Sequence, residues 1–217
     1  MSEYTLVIGS KNYSSWSMRG WLVMKQTRLP FEEIVIPLDR DDTRHRINEH
    51  SPSGKVPVLK HDGRVIWDSL AILEYLAEMA PRVGLWPQLV EARADARSVC
   101  AEMHSGFQAL RTHMPMNIRA SLPGKGRLAG IEEEVRRITH IWRESLQRFG
   151  GGPFLFGPWT GADAFFAPVV TRFHTYGVHL DDICRTYADH VMTWPAVAEW
   201  CEAAKAEPWE MARIDKI

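Results

Sequence analysis

The chain is poor in cysteine, with three in 217 residues: Cys100, Cys184 and Cys201. They are far apart, odd in number and never in a CxxC pair, which argues against a disulfide framework or a zinc knuckle. All three fall in segments of helical spacing, where a thiol acts as a small buried hydrophobe. Long apolar runs are missing too. No stretch approaches the roughly 18 residues of a membrane span, so no membrane partner is expected. Net charge is nearly absent, at −1, which leaves no dominant footprint for nucleic acid or anionic lipid. The first residues lack the basic-then-apolar pattern of a secretory signal, and a cytoplasmic location is expected. Nine histidines invite a metal reading. However, His45/His50 and His174/His179 lack the i, i+4 spacing of a helical zinc pair and HExxH is absent, so no metal is expected. There is no internal repeat, and neither GGG at 150–152 nor GKGR completes a phosphate-binding loop.

What is present is a globular composition, 45% hydrophobic and 24% charged, long enough for one large domain or two small ones. The first 80 residues mix strand and helix signals. "YTLVI" predicts a short buried strand, and "SMRGWLVMKQT" has helical spacing. "FEEIVIPL" predicts a second strand, stopped by Pro37, and the charged "RDDTRHRINEH" a loop with a short helix. "VPVLKHDGRVIW" predicts two strands around a His61-Asp62-Gly63 turn. "DSLAILEYLAEMA" predicts a helix capped by Asp68 and apolar nearly all round, so that it should be covered on two sides. Pro81 to Gln88, with two prolines and a glycine, marks a boundary. Beyond it the pattern is helical: one long helix from Val90 to Thr112, another from Gly130 to Phe149, a third opened by a Thr160–Asp163 capping box, and two shorter ones near 184–192 and 195–205. Pro168 should bend the third or sit near its start. The fold class is therefore α/β plus all-α, a β-α-β-α-β-β-α unit followed by an all-helical domain.

Three places could carry chemistry. Ser14, Ser15 and Ser17 lie between the first strand and first helix, where hydroxyls and a helix N-terminus suit an anion, including a thiolate; capping alone would also explain a serine there. Val56-Pro57 opens a strand with proline, which fits a strand edge, a bend or a cis peptide presenting the Val56 backbone to an extended peptide. Asp68-Ser69 starts a helix, where a hydroxyl and N–H groups can hold a carboxylate and the acid an ammonium group, again with simple capping as the alternative.

In a thioredoxin-like sheet these three places share one edge. "SSWSMR", "SPSGKVPVL" and "DSLAILEYL" resemble the glutathione S-transferases, and "TGADAFFAPVVTRF" resembles the capped helix of their C-terminal domain. The resemblance covers nearly the whole chain, and the spacing of Ser14 to Arg19 is most similar to serine-type, zeta-like bacterial members. It implies a thioredoxin-like glutathione-binding domain at 1–80, a linker at 81–89 and an all-helical domain at 90–217 that contributes an electrophile pocket. It implies glutathione as cosubstrate, with Ser14 donating to its sulfur and Ser15 and Tyr13, or more distantly Tyr4, as competitors. Val56, aided by a cis Pro57, would pair with the cysteinyl part. Asp68 and Ser69 would hold the γ-glutamyl head, and Lys55 would lie near the glycyl end, with Arg40, Arg44 and His45 as further candidates there. Met103, His104, Phe107, Arg111 and Trp209 could line the pocket between the domains, with a place in the domain core or on the surface as the alternative for most of them. The expected function is a detoxifying transferase, homodimeric, attaching glutathione to a small hydrophobic electrophile. A glutathione-dependent isomerase or peroxidase is a close variant, and a non-catalytic protein-binding module the alternative of another class. The chain departs from the zeta-type pattern at Trp16, where those members carry cysteine. The lack of any cysteine near this turn disfavours mixed-disulfide chemistry by a protein thiol.

Overall fold

Leu6, Val7 and Ile8 follow one another without alternation because both faces of their strand are covered; none is accessible to solvent in β1 (Tyr4–Gly9). In the computed structural model, which describes residues 3–150 and 152–217, β1 lies between β2 (Phe31–Ile36) and β3 (Val58–His61). β4 (Arg64–Ile66) completes the order β2-β1-β3-β4. β1 and β2 are parallel, joined by helix α1 (Ser15–Thr27), while β3 and β4 form an antiparallel hairpin. The short α2 (Thr43–Asn48) precedes β3, and α3 (Ser69–Met79) follows β4. This is the β-α-β-α-β-β-α order expected.

Register decides where the loops emerge. Val7 pairs with Val58, and Leu59 with Ile66. β1 therefore ends beside the start of β3 and the end of β4. The turn before α1, the Pro57 turn and the start of α3 leave the sheet at the same edge. α1 packs tightly over this edge: a Cβ added at Gly20 would lie 3.1 Å from Pro57 Cγ. A side chain there would need the Pro57 ring to give by a few tenths of an ångström.

A 3-10 turn at Pro81–Val83 leads into α4 (Val90–Ser105), α5 (Gln108–His113), α6 (Ile131–Arg148), α7 (Gly161–Tyr176), α8 (Asp182–Thr193), α9 (Pro195–Ala206) and α10 (Ala212–Asp215). The single helix expected from Val90 to Thr112 is in fact two. Gly106 is extended and Phe107 left-handed, with φ 61°. The new helix is capped from a distance: the Glu134 carboxylate on α6 accepts from the N–H groups of Ala109 (3.1 Å) and Leu110 (2.7 Å). That acceptor replaces carbonyls the broken ladder cannot supply.

α7 is the centre of the helical half, with only His174 exposed. Its capping box forms as expected, with Thr160 N–H donating to Asp163 at 2.8 Å. The helix continues through Pro168. α1 packs on α7 and α3 lies between the sheet and α4, so one hydrophobic core runs from Tyr4 to Cys201 through both halves. All three cysteines are buried. Among the described residues, no helix is long and apolar enough to cross a membrane.

Candidate functional site

The shared sheet edge opens into a cavity of about 610 Å³, whose lining includes Ser14, Trp16, Lys55, Val56, Pro57, Trp67, Asp68, Ser69 and His104. All three sequence-predicted segments thus meet in one space. The Val56–Pro57 peptide is cis.

Ser14 is both cap and cavity wall. Its Oγ accepts from the Ser17 N–H at 3.3 Å and donates to Ser17 Oγ at 2.8 Å. Ser17 Oγ also accepts from Gly9 N–H at 2.9 Å, which ties the helix start to the end of β1. A hydroxyl has two acceptor positions and one donor. Ser14 can therefore keep its capping bond while turning its proton toward a ligand.

The neighbouring candidates are committed elsewhere. Ser15 Oγ accepts from the buried Arg172 guanidinium at 3.1 Å. Tyr13 Oη donates to the Asp215 carboxylate at 2.9 Å and accepts from Arg119 at the same distance. Tyr4 stacks on His61, with ring centroids 3.9 Å apart. None of the three lines the cavity.

At the start of α3, Asp68 Oδ1 accepts from the N–H groups of Leu70 (2.9 Å) and Ala71 (3.4 Å), while Oδ2 meets His104 Nε2 at 3.0 Å. Ser69 Oγ is buried and has no hydrogen-bond partner among the described residues. A hydroxyl left unpaired at a helix N-terminus is costly by itself and suits an incoming carboxylate. Lys55 is exposed at the rim.

Of the pocket candidates on the helical half, only His104 reaches this cavity. Met103 and Phe107 are in the core, and the Arg111 guanidinium donates to the carbonyls of Met103 and Gly106. Trp209 gives its carbonyl to Arg119. Arg44 and His45 are exposed on α2, and Arg40 reaches toward Glu210 O.

Sequence reasoning missed the surroundings of Trp16. Two guanidinium groups approach its ring, Arg19 at 4.5 Å and Arg111 at 4.6 Å, with the His104 ring edge-on at 5.1 Å. Arg19 is fully buried; its Nε donates to Phe165 O, and its two terminal nitrogens have no hydrogen-bond partner among the described residues. Burial, then Arg111 and Arg172, push it well below the usual arginine range. Burial likewise lowers Arg172 to about 9. Trp16 thus supplies π-electron density where acceptors are missing. Among the described residues, no group of three or more His, Cys, Asp or Glu is placed to hold a metal.

The N-terminal domain model of the glutathione S-transferases matches residues 13–79, and the C-terminal domain model of the same family matches residues 91–203. The chain belongs to the glutathione S-transferase family. Its similarity to a probable maleylacetoacetate isomerase of Caenorhabditis elegans is 38% identity over 110 residues, 51% of each chain. A maleylacetoacetate isomerase of Pseudomonas aeruginosa is 28% identical over 208 residues, 91% of this chain and 89% of that one. The matched stretch spans about half the length of the first relatives, 51% and 58% for the Caenorhabditis and Dictyostelium proteins. Among solved structures, a Burkholderia glutathione transferase homologue with bound glutathione shares the fold at a TM-score of 0.69. It is 24% identical, with 95% of this transferase-family chain and 100% of that chain covered.

Proposed function

We propose that this family member binds glutathione at the sheet edge and ionises its thiol with the Ser14 hydroxyl, for attack on a small hydrophobic electrophile. The observation that carries the reading is the unpartnered, buried Ser69 hydroxyl, in one cavity with Ser14, Val56-Pro57 and Asp68. A tripeptide with an ammonium and a carboxylate at one end and a thiol in the middle uses each of these groups. Asp68 and Ser69 hold the γ-glutamyl head, the Val56 backbone pairs with the cysteinyl part, Lys55 faces the glycyl carboxylate, and Ser14 meets the sulfur.

A free thiol titrates near ~8.5, so little is ionised at neutral pH. Lowering that value by ~1–2 units needs roughly 1.4–2.7 kcal/mol of selective stabilisation. One hydroxyl hydrogen bond to charged sulfur, added to the N-terminus of α1, covers this range. The thiol proton leaves to solvent. The sulfur lone pair then forms the C–S bond as the leaving group departs with its bonding electrons.

Glutathione-dependent isomerisation is a second reading, favoured by the maleylacetoacetate isomerases among the relatives. There the thiolate adds to a double bond, the bond rotates and the thiolate leaves, so no glutathione is consumed. Calorimetric titration with glutathione tests both at once: binding in the millimolar range or tighter is expected. No binding at millimolar glutathione would refute both and favour a non-catalytic binding module. Consumption of glutathione over a panel of electrophiles separates transferase from isomerase. We also infer a homodimer, to be checked by light scattering.

A further inference from the structure

The turn carrying Ser14 is held from outside to a degree that helix capping does not require. Its own backbone supplies two bonds to Ser10 O, from Tyr13 N–H (3.2 Å) and Ser14 N–H (2.9 Å). Each residue between Ser10 and Ser14 is then fastened by the helical half of the chain. The Glu207 carboxylate accepts from the Lys11 N–H at 2.7 Å and the Asn12 N–H at 3.1 Å. Lys11 O accepts from Trp200 Nε1 at 3.1 Å. The Asn12 side chain donates to Asn117 Oδ1 at 2.8 Å and accepts from Arg119 N–H at 2.9 Å. Tyr13 Oη is saturated, donating to Asp215 and accepting from Arg119 and from Met211 N–H at 3.2 Å.

Asp215 is the hub of the far end. Besides Tyr13 it accepts from Asn117 Nδ2 at 2.8 Å and from Met211 N–H at 2.9 Å. Arg119 closes the ring by donating to the carbonyls of Glu207 (2.6 Å) and Trp209 (2.5 Å). Beneath this network the Tyr13 ring packs with Met211 and Ile214 against Leu38, which itself lines the cavity.

We propose that the segment from Glu207 to Asp215 is a strap that sets the position of Ser14, with Glu207 and Asp215 as positioning residues. The proposal rests on the serine-activation reading above. A hydroxyl that only caps α1 follows the helix wherever it goes. A hydroxyl that stabilises a sulfur anion must sit within a fraction of an ångström of its place. Glu207 holds the turn by its backbone and Asp215 by the Tyr13 side chain, from opposite ends of one short segment. Neither carboxylate lines the cavity. Both act through the turn.

The test is a set of double-mutant cycles in the full chain. Asp215→Ala and Glu207→Ala are made with Ser14 intact and with Ser14→Ala. The pKa of bound glutathione is read by thiolate ultraviolet absorbance, beside kcat, KM for glutathione and a thermal melt. With Ser14 present, each strap variant should raise the thiol pKa by about half to one unit, lowering kcat at neutral pH roughly three- to tenfold. KM for glutathione should stay within about twofold, because Val56, Asp68 and Ser69 lie elsewhere. With Ser14→Ala, the strap variants should leave the thiol pKa unmoved. Asp215→Asn, which keeps one acceptor oxygen, should fall between and guards against loss of the fold. Folded strap variants with an unchanged thiol pKa, beside an effective Ser14→Ala, would overturn the strap alone. Equal shifts in both backgrounds would overturn it too, since the effect would not pass through Ser14. A Ser14→Ala variant with an unchanged thiol pKa would instead overturn the serine reading and the strap with it.

Discussion

Replacing Ser14 with alanine should produce two effects of different origin. The first is on the ligand. A hydrogen bond to a charged partner contributes about 1.5–3 kcal/mol, so its loss should raise the bound thiol pKa by about 1–2 units. If activity tracks the thiolate fraction, the rate at neutral pH falls by about tenfold or more. The second is on the fold. Ser14 Oγ accepts from Ser17 N–H, and losing such a cap costs about 1 kcal/mol. In a chain of this size that lowers Tm by about 2–4 °C. Ser15→Ala is the internal control. Ser15 Oγ accepts from Arg172 Nη2, a nitrogen of a fully buried guanidinium. Losing it should reduce stability by about 1.5–3 kcal/mol and leave the thiol pKa where it was. Thiolate absorbance against pH, with urea denaturation of the ligand-free variants, measures both quantities. A thiol pKa that moves in Ser15→Ala and stays put in Ser14→Ala would refute the assignment of the sulfur to Ser14.

Asp68→Ala removes the charge held by two α3 N–H groups and His104; glutathione affinity by calorimetry should weaken at least about tenfold, and unchanged affinity would remove Asp68 from the site. Trp16→Ala takes a ring face from both Arg19 and Arg111. At about 1–2 kcal/mol for each desolvated cation–π contact, urea denaturation should show a loss of roughly 2–4 kcal/mol, and a loss well below 1 would mean the guanidinium groups do not depend on Trp16. Asp163 predicts a pH effect on stability. Burial raises its carboxyl from the ordinary 3.8 to about 6 even with Thr160, Leu155 and Tyr187 donating to it. The folded chain therefore binds this proton more tightly than the unfolded chain, so the contribution is complete below pH ~4 and is lost as pH rises through ~6, about 3 kcal/mol in all. Asp163→Asn should remove this slope from denaturation curves between pH 4 and 7, and an unaltered slope would place its origin elsewhere.

Which features were legible in the sequence follows from the range of the interactions that set them. Strand β1, the Asp62–Gly63 turn and the Thr160–Asp163 box are decided by neighbours within a few residues, and each formed as expected. The break between α4 and α5 was not legible. Apolar spacing continues through Met103, Phe107 and Leu110, and all three are buried on either side of the break. Periodicity reports which face is buried and does not report that the axis turns. What turns it is Phe107 in a left-handed conformation, with Glu134, some 25 residues on, capping the second piece. A lone glycine at Gly106 was the single local hint, and one such residue is tolerated in many unbroken helices.

The site divides in the same way. Three separate segments could be assigned to one edge because the strand order and the short turns bring them there. The choice among Tyr13, Ser14 and Ser15 could not be made locally, since three adjacent hydroxyls beside a helix N-terminus look alike. Ser15 is taken by Arg172 and Tyr13 by Asp215, residues 157 and 202 positions away. Ser14 is then the hydroxyl left at the cavity, because long-range partners have claimed its neighbours. The same logic accounts for Trp16. Beside two serines it reads as an isolated departure from a pattern. Beside Arg19 and Arg111 it is the group that offers a ring face to a guanidinium whose two terminal nitrogens lack acceptors. A cysteine in its place would offer no ring face to either guanidinium, so the effects of exchanging Trp16, Arg19 and Arg111 should be coupled rather than additive.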